Sequence, residues 1–252
     1  MKMKLDGARA LVTGASSGIG AATVTRLARL GARPLLVGRD ERALDELVAT
    51  IGGERFTADL RQQGAATEIA DWARSTAGGV DLLVCNAGIG WAGQLEELPL
   101  AGIDELVTVN LTAHLGLTRL LLPDMLANRR GHLVLVSSIA GAMGVADEAV
   151  YAATKAALRI FADSVRLATA GKGVGVSVVV PGVVDTPFFD RRGSDYERTS
   201  PKPVSADEVA AALVNAVRHN RSEVFVPAWL RFPARLHGAF PTLVHHLQRH
   251  FG

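Results

Sequence analysis

The sequence predicts an α/β fold: a single doubly wound domain with a parallel, seven-stranded sheet and helices on both faces. Short β-branched or leucine-rich runs of strand length recur at 8–13, 33–38, 80–85, 132–137, 174–180 and 222–226, and a further run spans 54–58. Longer stretches with helical spacing of apolar residues lie between them, at 19–30, 42–51, 63–77, 104–127, 150–170 and 206–219. The polar and glycine-rich motifs follow the ends of the strand runs.

Strands that alternate with helices imply right-handed crossovers and a sheet covered on both sides. The helix at 206–219 has a clear start, because Ser205 and Glu208 have the spacing of a capping box. In such a sheet ligands bind beyond the carboxyl ends of the strands, where the strand order reverses. No repeat, low-complexity tract or linker divides residues 1–226, so 1–227 is expected to form one domain. After Glu223 no acidic residue occurs, while apolar residues continue from Trp229 to Phe251, which marks 228–252 as a distinct apolar and basic tail.

Composition narrows the function. The 27 basic and 25 acidic residues leave a net charge of +2 and are mixed along the chain, so no field is expected to draw nucleic acid. The single cysteine, Cys85, excludes an internal disulfide or a cysteine-based metal site and suits a reducing compartment. It ends an apolar run and reads as a small buried hydrophobe. The amino terminus lacks an apolar signal region and no 18 consecutive apolar residues occur, so a cytoplasmic, soluble protein is expected.

The segment from Thr13 through Gly14, Ala15, Ser16, Ser17, Gly18 and Ile19 to Gly20 joins the first strand to the first helix. Its glycines permit a tight turn, and a helix amino terminus behind it offers free N–H groups to a pyrophosphate. Close packing of helix on strand would call for the same glycines. Arg39, just past the second strand, can pair with the 2′-phosphate of NADP, whereas an acidic residue there would bind the ribose hydroxyl of NAD. Asp40 beside it keeps NAD open, unless it caps the next helix. Asp59 and Leu60 follow the third run, and Asn86, Ala87 and Gly88 follow the fourth, where an acid or amide can bond adenine or tie loops together.

Candidate chemistry gathers in Ser138, Tyr151 and Lys155. Tyr151 and Lys155 lie four apart and share a helix face, so an ammonium there favours the phenolate of a group whose ordinary pKa is about 10. The same spacing also occurs on plain exposed helices. Asn110, alone in an apolar stretch, either serves the site or ties helix to sheet.

Taken in order, these motifs resemble the short-chain dehydrogenase/reductase (SDR) family in its ~250-residue Rossmann-fold form, over residues 5 to about 226. The family's T-G-x-x-x-G-x-G matches Thr13 to Gly20, its N-A-G matches Asn86 to Gly88, and its Y-x-x-x-K matches Tyr151 to Lys155. Its asparagine matches Asn110, its serine Ser138, and its P-G Pro181 and Gly182, followed by Thr186. The resemblance implies reversible hydride transfer between a nicotinamide and a carbonyl or alcohol carbon. It implies Tyr151 as general acid or base, Lys155 as the cation that lowers its pKa and holds the ribose, and Ser138 as the group that polarises the carbonyl. Asn110 would hold a water of a proton relay, and Thr186 would touch the carboxamide. The cofactor residues it implies are Gly14, Ser16, Ser17, Gly18, Ile19, Gly20, Arg39, Asp59, Leu60, Asn86, Ala87, Gly88, Tyr151, Lys155, Pro181, Gly182 and Thr186. NADP(H) is expected to be preferred and NAD(H) possible, with Arg39 carrying most of that expectation, because Ser17 stands where some NADP-dependent members have a second basic residue. Thr154 stands where many members have serine.

The segment 183–204, apolar at Phe188 and Phe189 and then charged, is the expected substrate lid. Ile89, Trp91, Ile139 and Met143 are expected to flank the pocket, which suits an apolar ketone, aldehyde or secondary alcohol. The tail holds His237, His245, His246 and His250, and with no carboxylate or cysteine nearby no metal is expected. A subunit contact or lid suits it best, with contact to a membrane surface a secondary reading that Pro233 and Pro241 oppose. The resemblance implies a homodimer or homotetramer. The contrasting function is a dinucleotide-binding sensor or scaffold without turnover, for which Tyr151 would have no use.

Overall fold

The computed structural model describes residues 2–192 and 202–242. In chain order the strands among them are β1 (Arg9–Thr13), β2 (Arg33–Gly38), β3 (Glu54–Thr57), β4 (Leu82–Cys85), β5 (Gly131–Val136), β6 (Val174–Pro181), β7 (Val184–Asp185), β8 (Val204–Ser205) and β9 (Glu223–Val226). Seven of them form one sheet in the order β3-β2-β1-β4-β5-β6-β9, every pair parallel. The short strands β7 and β8 pair separately. The chain runs outward from β1 through β2 to β3 and then returns to place β4 on the other side of β1, so the strand order reverses between β1 and β4.

Alternate residues of each strand feed two cores. Leu11, Leu83, Leu133 and Leu135 face a layer containing α3 (Ala65–Ala77), α5 (Ala113–Ala127) and α6 (Ala149–Thr169). Val12, Leu36, Val84, Val134 and Val136 face α1 (Gly18–Arg29), α2 (Glu41–Ile51) and α8 (Ala206–His219). Each leucine or valine buried this way contributes about 1.5–3 kcal/mol, and a one-residue slip of any strand would exchange its two faces. Helix α8 begins with the expected capping box: Ser205 Oγ accepts from Glu208 N, and the Glu208 carboxylate accepts from Ser205 N at 2.8 Å.

The helix expected over 104–127 starts earlier and is interrupted. It opens at Leu100 as α4 (Leu100–Val107), passes through a π-turn at Thr108–Thr112 and continues as α5. Apolar periodicity missed its first turn because Leu100 is 81% exposed there. A single wide turn inside a helix leaves no mark on such periodicity at all.

The tail joins the body of the protein. A 3-10 turn at Ala228–Leu230 leads into α9 (Arg231–Ala239), and Leu230 and Ala234 are buried in the first core. Pro233 does not break this helix, because it sits in the first turn, where its N–H would lack an intrahelical partner anyway. Trp229, Phe232, Leu236 and Phe240 are exposed. No helix among the described residues is long and apolar enough to cross a membrane. Part of the expected lid, 193–201, and His245, His246 and His250 lie outside the described residues.

Candidate active site at the carboxyl edge of the sheet

The carboxyl ends of β1, β2, β4, β5 and β6 open into a continuous cleft of ≈ 1840 Å³. Of the residues expected to form the site, all but Gly20 and Asn110 line it. Gly20 lies behind the wall, where a Cβ would come within 2.0 Å of Gly14 O, so its place is in close packing of α1 on the turn.

At the switch point Thr13 holds β1 and β4 together. Its Oγ1 accepts from Asn86 N at 3.0 Å and Ala87 N at 3.1 Å, while Asn86 Nδ2 donates to Thr13 O at 2.9 Å. The Asn86 amide is thus bound to the strand ends, and Thr13, the residue before the glycine turn, is part of the clamp. Gly14 follows at φ +66, and a Cβ on it would meet Ala87 Cα at 2.9 Å. The turn therefore needs glycine both for its conformation and for clearance. Behind it the amino terminus of α1 presents its unpaired N–H groups to the cleft.

Arg39 is exposed on the cleft wall, with no carboxylate within 4 Å among the described residues. The neighbouring Asp40 caps α2, its Oδ1 accepting from Ala43 N at 3.0 Å. Asp59 is paired with Arg61, which also reaches Glu105 at 3.2 Å; this guanidinium holds the Asp59 carboxyl below the usual carboxylate range. A glycine turn on a helix amino terminus with an exposed arginine alongside fits the phosphates and ribose of a dinucleotide.

On the far side of the switch point, α6 carries Tyr151 and Lys155 toward the end of β5. Lys155 is buried and its Nζ donates to Val136 O at 3.0 Å, lying 5.7 Å from the Tyr151 ring centroid. Gly88 makes this approach possible, since a Cβ there would stand 3.2 Å from Lys155 Nζ and 3.3 Å from Asn110 Oδ1. Burial lowers the Lys155 pKa to about 8. Burial also pushes the Tyr151 phenol well above its ordinary value, with the Ser138 hydroxyl pulling it partly back and the Glu148 carboxylate adding to the rise. Among the protein's own groups desolvation is the largest influence on the phenol. Ser138 itself caps a short 3-10 turn, accepting from Ala140 N at 3.2 Å, and its neighbour Ser137 donates to Lys155 O at 2.8 Å.

Asn110 sits in the π-turn, fully buried. Its Oδ1 accepts from Ile89 N at 2.8 Å, and its Nδ2 donates to Ile89 O at 2.9 Å and to Thr154 Oγ1 at 3.3 Å. Both amide protons are engaged, so the side chain ties the helix to the loop after β4 and to α6. Thr154 in turn donates to Tyr151 O at 2.7 Å.

Ile89, Ile139 and Met143 line the cleft as expected, but Trp91 does not; its ring lies against Gly93 instead. Phe188 on α7 (Phe188–Arg192) stacks obliquely on Tyr151 with ring centroids 5.7 Å apart. Trp229, Leu230 and Pro233 bring the tail into the cleft wall. Cys85 is buried behind the site, its thiol pushed up to about 12.

The family described as short chain dehydrogenase matches residues 8–197. The chain belongs to this family. An SDR enzyme is an oxidoreductase acting on CH–OH or C=O groups with a nicotinamide dinucleotide. The chain is 36% identical to 1-deoxy-11-beta-hydroxypentalenate dehydrogenase of Streptomyces avermitilis, over 98% of this chain and 94% of that one. A short-chain dehydrogenase of Sphingobium yanoikuyae in complex with NADPH superposes with a TM-score of 0.83 at 29% identity, covering 94% and 95% of the two chains. An SDR of Burkholderia phymatum in complex with NAD superposes at 0.85 with 27% identity, covering 96% of each.

Proposed function

We propose that this SDR enzyme uses NADP(H) in preference to NAD(H) and acts on an apolar ketone, aldehyde or secondary alcohol. The observation that carries the cofactor reading is the contrast between adjacent residues. Asp40 is engaged as a helix cap, while Arg39 is exposed on the cleft without a carboxylate partner among the described residues. A guanidinium in that position favours a ribose 2′-phosphate over a free hydroxyl. The apolar substrate is supported by Ile89, Ile139, Met143 and Phe188 on the cleft wall near Tyr151. The names of relatives, which include a ketoacyl reductase from Nostoc, agree with a carbonyl substrate.

When bound, the nicotinamide supplies the hydride acceptor or donor. Tyr151 donates the phenolic proton to the substrate oxygen in reduction and takes the alcohol proton in oxidation. Ser138 donates a hydrogen bond to the same oxygen. Lys155 has three N–H donors, of which Val136 O takes one, leaving the others for the ribose and the phenol. Asn110 acts as a positioning residue: its amide is committed to Ile89 and Thr154, so it orients the loop and α6 instead of holding a relay water with its side chain. Gly14, Ser16 to Ile19, Asp59, Leu60, Asn86 to Gly88, Pro181, Gly182 and Thr186 form the cofactor wall. The enzyme works in the cytoplasm as a homodimer or homotetramer.

Equilibrium titration tests the cofactor reading: NADPH binds more tightly than NADH, and equal affinities would refute it. The Tyr151→Phe variant separates an enzyme from a dinucleotide sensor, because only an enzyme loses turnover while binding persists.

A further inference from the structure

We infer that Arg191 is a second ligand for the 2′-phosphate of NADP(H), delivered to the cofactor cradle from the substrate lid. This rests on the NADP(H) reading above and deepens it.

The motif places Ser17, a neutral residue, at the start of α1, and its side chain forms no helix-capping bond. Its Oγ instead accepts a hydrogen bond from Arg191 Nη1 at 3.2 Å, from 174 residues away. Arg191 and Arg192 are adjacent on α7 but differ in their surroundings. Arg192 is ion-paired with Glu148 and stacks on the Phe189 ring at 4.7 Å. Arg191 is exposed, lines the cleft and has no carboxylate within 4 Å among the described residues. A single bond to a neutral hydroxyl satisfies one of the five donors of a guanidinium.

Arg191 reaches the same turn that lies against the end of β2, next to Arg39. Ser17 is followed by Gly18, where a Cβ would stand 3.0 Å from the Thr186 methyl, so the start of the lid packs on the turn. Ser17 is preceded by Ser16, whose Oγ lies 3.2 Å from where a Cβ on Gly38 would be, and Gly38 leads into Arg39. Ser17 thus meets a guanidinium from α7, and Ser16 packs against the residue that precedes Arg39 at the end of β2. A dianionic phosphate between two guanidiniums gains bidentate, charge-assisted hydrogen bonds that neither hydroxyl can supply. Because Phe188 on the same helix rests on Tyr151, the contact would also link recognition of the phosphate to the substrate side of the cleft.

The test is calorimetric titration of wild type, Arg191→Ala and Arg191→Lys with NADPH, NADH and 2′,5′-ADP. Arg191→Ala is expected to weaken NADPH and 2′,5′-ADP about tenfold and to leave NADH within about twofold, with Arg191→Lys intermediate. Equal weakening of NADPH and NADH would mean that Arg191 meets the pyrophosphate and would overturn the inference, as would an unchanged affinity for NADPH. A wild type with no preference for NADPH removes the cofactor reading as well. A preference that Arg39→Ala erases and Arg191→Ala leaves intact removes only the role of Arg191.

Discussion

Lys155 Nζ lies 5.7 Å from the centroid of the Tyr151 ring, yet its hydrogen bond goes to Val136 O at the end of β5. The ammonium is anchored to the sheet beside the phenol. Lys155 is buried and Tyr151 half-buried, and desolvation moves each toward its neutral form, the lysine to about 8. The lysine pKa is depressed, so its charge is present below pH 8 and lost as pH rises through that value. For carbonyl reduction, kcat/KM, which reports groups of the free enzyme, is expected to fall above about pH 8. A rate level from pH 7 to 10 would contradict the assigned need for the ammonium.

Replacing Asn110 tests its role as a tie. Asn110→Ala removes bonds to both backbone groups of Ile89 and leaves those groups short of partners. The expected loss is about 2–4 kcal/mol of unfolding free energy, at about 1–3 kcal/mol for each buried polar group left unsatisfied. Urea denaturation measures it. A change under 0.5 kcal/mol, roughly that of an ordinary surface substitution, would show that the π-turn holds without the amide.

Arg39→Ala is expected to weaken NADPH binding about 10- to 100-fold, the size of one lost charge-assisted pair, with little effect on NADH. Fluorescence titration with the two cofactors reads this directly. Asp40→Ala should cost about 1 kcal/mol of stability through the lost cap and leave the cofactor preference in place. If Asp40→Ala shifted the preference instead, the cap assignment would be wrong.

Two buried histidines predict acid sensitivity. Burial lowers His114 to about 3 and His132 to about 4. Their folded pKa values lie below the unfolded value of about 6.5, so the unfolded state takes up protons first as pH falls. The stability present above pH 6.5 is lost from there down toward pH 4, at up to about 1.4 kcal/mol per pH unit for each histidine. Urea midpoints between pH 7.5 and 5 check this, and His132→Asn should flatten the slope. Midpoints constant over that range would contradict it.

Much of the fold was legible because a parallel sheet buried on both faces writes itself as continuous apolar runs, such as Leu82–Cys85. The motif residues were legible because turn chemistry at Gly14 and the shared helix face of Tyr151 and Lys155 are local. The π-turn at Asn110 was not, since one extra residue in a helical turn leaves composition unchanged. Nor was the Arg191 to Ser17 bond, which joins residues 174 apart. Trp91 shows the opposite failure: its apolar character suited the pocket, but its ring turned to cover Gly93. The direction of the phenol's pKa depends on how deeply the site is buried, a property of the whole fold.

Tyr151 is proposed as the proton-transfer group of a working NADPH-dependent enzyme. The most direct measurement follows NADPH oxidation by wild type and Tyr151→Phe over a panel of apolar ketones and aldehydes, with NADPH affinity determined on the same samples. Wild type is expected to turn over, and the variant to lose about 10²- to 10⁴-fold while keeping NADPH affinity within about threefold of wild type, because the phenol lies away from the phosphate cradle. Normal NADPH binding by both, with wild type turning over no faster than the variant on any carbonyl, would contradict it.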